Sequence, residues 1–136
     1  MDYNIRWHDQ EQTILYAQYP ENWTWKDFYA IRAHTVRLIE GKQHASRIDV
    51  IADMFGSYFP RGDVFSHIQN IIKHDLSPDG CVVIVTNNKI NYRIVQMSVR
   101  MAPELNRHYR VAPSIEAAEE IIQAARSYTS DPSVIT

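Results

Sequence analysis

The chain is poor in the residues that make covalent staples and tight loops: one cysteine and four glycines among 136 residues. A lone cysteine excludes an intramolecular disulfide framework. Cys81 stands in the apolar run GCVVIV, which marks a buried, inert thiol rather than a nucleophile. No apolar stretch approaches the length of a bilayer span, and the opening MDYNIRWHDQ is too polar for a signal peptide. A cytoplasmic location with no membrane association is therefore expected. Neither charge dominates: 14 Lys and Arg against 16 Asp and Glu leave a formal net charge of -2, and the basic residues are scattered. That balance gives no electrostatic case for nucleic-acid binding.

Chemical motifs are equally scarce. There is no glycine-rich phosphate loop, no paired-carboxylate motif and no Ser/His/Asp order. Six histidines are present, but none has chelating spacing; His67 and His74 lie two helical turns apart, too far to share a zinc ion. No metal, cofactor or catalytic residue is expected. Asp53 and Thr86 end successive strands, as in a receiver domain. The acidic pair and the lysine that such a domain also needs are missing, because a hairpin and Ala112-Pro113 take their places. The RGD at 61–63 reads as a turn glycine with a capping aspartate.

What the chain does contain is clear periodicity. Asn4–His8 and Thr13–Tyr19 read as a hairpin across a polar turn. Thr24 with Asp27 forms a variant capping box, and Trp23 with Phe28 a hydrophobic staple, for a helix over 25–40 that Gly41 stops. Ser46–Met54 alternates, with Asp49 and Asp53 on its polar side, so one sheet face is expected to be partly wet. A helix over 63–74 should turn Ser66, His67, Asn70, Lys73 and His74 toward solvent. Cys81–Val85 is a central strand. Helix 90–102 carries one stripe of Ile90, Ile94, Met97 and Met101, read as its core side, and a second of Tyr92, Val95 and Val99. Arg107–Ala112 is the last strand, and Ser114 caps the last helix. The expected order is β-β-α-β-α-β-α-β-α, an α/β fold. It has a mixed, mostly parallel sheet, an N-terminal hairpin and helices mainly on one face. One domain over 1–128 and a flexible tail over 129–136 are expected.

The segments IDVIADM, CVVIVTN and VAPSIEAAEEII, in this order, resemble the STAS family of sulfate-transporter and anti-sigma-factor-antagonist domains. The resemblance spans roughly Ile5 to Ala125 and implies a STAS-like regulatory or protein-binding module without enzymatic activity. The family's phosphorylatable serine is not matched: its place reads FPRGDV, where only Gly62 corresponds.

Two candidate surfaces follow. The carboxyl ends of parallel strands favour ligands, and helix starts there attract anions. Ser57, Arg61, Gly62, Asp63, Thr86, Asn87 and Lys89 would then form a site for a small anionic ligand, as in a sensor or a minor enzyme. The stripe of Tyr92, Val95 and Val99 would instead meet a protein partner or form a homodimer.

Overall fold

The computed structural model describes residues 3–42, 47–60, 64, 66–67, 70, 80–101 and 108–130. Strands β1 (Asn4–Trp7) and β2 (Ile14–Gln18) form the antiparallel hairpin, with Ile5 opposite Ala17. Asp9 organises the turn between them. Its carboxylate accepts from the N–H groups of Thr13 and Ile14 at 2.8 and 2.9 Å and from the Thr13 hydroxyl. Partial burial opposes the charge, but these bonds prevail and hold the carboxyl below its ordinary value of 3.8.

Helix α1 (Trp25–Glu40) begins at the expected cap. The Thr24 hydroxyl accepts from the Asp27 N–H at 3.2 Å, and the Asp27 carboxylate accepts from the Thr24 N–H at 2.9 Å. Across the cap, the Trp23 and Phe28 rings pack with centroids 6.0 Å apart, which is the staple. The most buried residue of α1 is Ile31, 1% exposed, which the periodicity did not single out.

Strands β3 (Asp49–Asp53), β4 (Val82–Val85) and β5 (Tyr109–Ala112) follow β2 in parallel, giving the sheet order β1-β2-β3-β4-β5. Sequential parallel strands joined by right-handed crossovers place the connecting helices on one face. On that face Ile31, Trp25 and Phe28 of α1 pack with Trp23, Ala17, Ala52, Met54, Val82 and Ile84. Helix α2 (Lys89–Met101) is tied to the same side through Asn91, which bonds the loop carrying Phe59. Helix α3 (Ile115–Ser130) covers the opposite face. There Ala118 and Ile122 meet Ile14, Tyr16, Ile51, Val83 and Val85. Each large aliphatic side chain fully withdrawn from water contributes about 1.5–3 kcal/mol.

Three expectations change. The face bearing Asp49 and Asp53 is not wet, because α3 closes over it and leaves them 0% and 7% exposed. Asp49 is tolerated there because Arg47 and Arg126 neutralise it. The helix expected over 63–74 lies largely outside the described residues; Val64, Ser66, His67 and Asn70 have helical backbone. Its His67 does not face solvent. The ring stacks on Trp25 with centroids 4.4 Å apart, and Nδ1 lies 2.8 Å from the Tyr29 hydroxyl. Finally, α3 runs on to Ser130, into the expected tail, whose remaining residues 131–136 lie outside those described.

Gly80 shows why glycine is needed where the chain enters β4. A Cβ there would sit 1.7 Å from the Ile48 carbonyl oxygen.

Candidate functional site

The carboxyl ends of β3 and β4 bring Ser57, Thr86, Asn87 and Lys89 to one edge of the sheet, but the side chains of the first three are engaged by other parts of the protein. Ser57, 2% exposed, accepts from Trp23 Nε1 at 3.1 Å and donates to the Met54 carbonyl at 2.7 Å. Thr86, 1% exposed, accepts from the Asn88 N–H at 3.2 Å. Asn87 is exposed, yet its side-chain carbonyl accepts from the Gly56 N–H at 3.1 Å. Asn88 caps α2, accepting from the N–H groups of Ile90 and Asn91 at 2.8 and 3.2 Å. Two of the first-turn amides that would hold an anion at this helix start are thereby occupied. Lys89 is exposed. Arg61, Gly62 and Asp63 lie outside the described residues.

Sequence reasoning missed Asn91, which is 2% exposed and joins the two segments. Its side-chain carbonyl accepts from the Phe59 N–H at 3.3 Å, and its Nδ2 donates to the Ser57 carbonyl at 3.1 Å. An asparagine on an amphipathic helix carries no signal that it will turn inward; the loop it serves is distant in sequence. The strand-end edge is a laced joint that fixes the loop after β3 against the first turn of α2.

The two stripes of α2 sit opposite to their expected orientation. The side facing the protein carries Asn91, Val95 and Ser98. Val95 is 4% exposed, and Tyr92 and Val99 are half-buried beside it. Of the stripe read as core, Ile90, Met97 and Met101 are 67%, 51% and 65% exposed, and Ile94 is half-buried. The reversal has a physical cause. Asn91 must reach the Phe59 and Ser57 backbone, which otherwise leaves buried polar groups unpaired. That rotation turns the Ile90–Met97–Met101 stripe outward. At the α2 start, the loop after β3 adds Phe55 and Tyr58, 57% and 72% exposed.

Several ionisable groups elsewhere are held in structural contacts. The Tyr16 hydroxyl donates to the Asp53 carboxylate, which also accepts from the Phe55 N–H at 3.0 Å. Burial, reinforced by that carboxylate, pushes the Tyr16 phenol up to about 12. The Arg6 guanidinium lies 4.6 Å above the Tyr16 ring, His8 stacks on the same ring, and His8 Nε2 is 3.7 Å from Glu119 Oε1. With its carboxylate engaged by two donors and the residue only 7% exposed, Asp53 is not placed as an exposed phosphoacceptor. Burial, then the Asp49 charge, raises the Cys81 thiol to about 11, so it is not an activated nucleophile. Among the described residues no group of three or more His, Cys, Asp or Glu is placed to hold a metal ion, and no helix is long and apolar enough to cross a membrane.

Comparison of the chain with protein-family models, with curated proteins and with solved structures finds no match in any of the three.

Proposed function

We propose that this chain is a non-enzymatic regulatory or protein-interaction module of STAS-like type. It captures a protein partner through the outer face of α2 and the adjoining loop. One observation carries this reading. Among the described residues, the large hydrophobic side chains left exposed, Phe55, Tyr58, Ile90, Met97 and Met101, all belong to that loop and helix. Exposed apolar side chains gathered in one place, rather than scattered singly, mark an interaction surface. The laced joint at Ser57, Asn87 and Asn91 supports it, because it pre-organises the loop against the helix and lowers the entropy lost on binding. The hairpin followed by parallel strands in sequential order accords with the STAS-like resemblance. The free, buried Cys81 accords with a cytoplasmic setting.

A small anionic ligand at the strand ends is less well supported, since Ser57, Thr86 and Asn87 already serve the protein's own backbone. The test is affinity capture with the full chain as bait and identification of the captured protein by mass spectrometry. Capture should be lost with Ile90→Glu plus Met97→Glu and retained with Glu116→Lys, which changes the exposed side of α3 on the other face of the sheet. Equal capture by all three baits would refute the proposal.

A further inference from the structure

Charge selects the kind of partner this surface takes. Helix α2 reads KINYRIVQMSVRM and contains Lys89, Arg93 and Arg100 with no acidic residue. All three cations are exposed, and among the described residues none is in an ion pair. At ~100° per residue, Lys89, Arg93 and Arg100 fall within one stripe ~40° wide. Met97, Ile90 and Met101 fall in the stripe immediately beside it. The outer face of α2 is therefore split lengthwise, basic along one side and apolar along the other.

Resting on the interaction reading above, we infer that the partner is an acidic amphipathic helix of a different protein. It lies along α2 with its apolar stripe on Ile90, Met97 and Met101 and its carboxylates beside Lys89, Arg93 and Arg100. Helix-on-helix recognition uses apolar anchors at helical spacing, and a flanking charge stripe fixes direction and register. The exposed Met97 and Met101 suit such a contact because the unbranched thioether adapts to the shape of what it meets.

Two other occupants fit less well. A second copy, paired through α2, brings a second set of cations to the interface with no carboxylate on either helix to meet them. Nor does the acidic start of α3 on another copy serve. Its exposed residues there, Glu116, Glu119, Glu120, Gln123 and Ala124, include no large hydrophobe to meet the apolar stripe. An anionic bilayer surrounds an inserted apolar stripe with headgroups on both sides. Here the far flank, half-buried Ile94 leading to the inward-facing Ser98, is uncharged.

The experiment uses the full chain and two fluorescent synthetic helical peptides that share a leucine stripe, one flanked by glutamates and one by lysines. Anisotropy should show binding of the glutamate peptide only. Raising salt severalfold, or making Arg93→Glu plus Arg100→Glu, should weaken that binding about tenfold, as expected for partly exposed charge pairs. Circular dichroism of the variant confirms that it folds. Equal binding of both peptides overturns the inference, as does binding of neither. Sedimentation of the chain with phosphatidylserine vesicles in the absence of peptide binding also overturns it, in favour of a membrane. A dimer dispersed by Met97→Glu overturns it in favour of a second copy. If the glutamate peptide fails while captured protein still depends on Ile90 and Met97, the acidic-helix inference falls and the interaction reading stands. If capture is also independent of those residues, both fall.

Discussion

Arg126 in α3 donates from Nε to Asp49 Oδ2 at 2.7 Å, joining residues 77 positions apart. The same guanidinium donates from Nη2 to the Thr13 carbonyl at 3.0 Å, and Arg47 engages Asp49 from the other side at 3.0 Å. Asp49 also accepts from the Cys81 N–H at 2.8 Å. One buried carboxylate thus ties α3, β3 and the entry to β4 together on the sheet face opposite α1.

Removing that carboxylate should be costly. Asp49→Ala is expected to destabilise the fold by about 3 kcal/mol, the low end for a broken buried pair because both arginines retain a route to water. Urea denaturation measures it, and a loss below about 1 kcal/mol would show that the cluster is dispensable. The pH dependence has a definite sign. Burial opposes the charge, but the bonds from Arg47, Cys81 and Arg126 prevail and lower the Asp49 carboxyl below 3.8. A lowered carboxyl contributes stability above its unfolded value and loses it as pH falls. Acid should therefore weaken the wild type more steeply than Asp49→Asn.

At the alkaline end the sign reverses. The Cys81 thiol is raised from 9.0 to about 11 and the Tyr16 phenol from 10.0 to about 12. The unfolded chain releases these protons first, so stability is full below pH 9 and falls as pH climbs through those two windows. Unfolding midpoints at pH 8 and above 10 should decline less in Cys81→Ala and Tyr16→Phe than in the wild type, each compared with its own value at pH 8.

The α1 cap is open to a mild test. Thr24→Ala removes the acceptor for the Asp27 N–H and should cost about 1 kcal/mol, whereas Thr24→Ser should restore most of it. Denaturant midpoints distinguish the two; equal losses would mean that the hydroxyl does not cap.

Gly80→Ala is predicted to be among the most damaging small substitutions. Its methyl would stand 1.7 Å from the Ile48 carbonyl oxygen, and backbone cannot swing aside as a side chain does. A loss of about 1–3 kcal/mol is expected from such overpacking, read as a lowered melting temperature.

The orientation of α2 gives a paired comparison. Val95→Glu places a charge where only 4% of the residue is exposed and should unfold the protein, while Met97→Glu at 51% exposure should leave the melting temperature nearly unchanged. Similar effects of the two would return the helix to the orientation read from periodicity.

The amino-acid sequence by itself determined what is local. The Thr24–Asp27 box, the Trp23–Phe28 staple, the α1 span from Trp25 to Glu40 and the Ser114 cap, which accepts from the Ala117 N–H, depend on neighbours within a turn. The element order also follows from periods of two and 3.6, and with it the hairpin and the parallel strands. Only the tertiary structure decided which stripe of α2 faces inward, that Asp49 and Asp53 are buried, and that Ser57 and Thr86 are spent on backbone partners. Periodicity states that a helix has two sides and is silent on which one meets the sheet. That choice was made by the buried backbone groups near Asn91 and by Arg126 reaching Asp49, partners that chain separation hides from any local pattern.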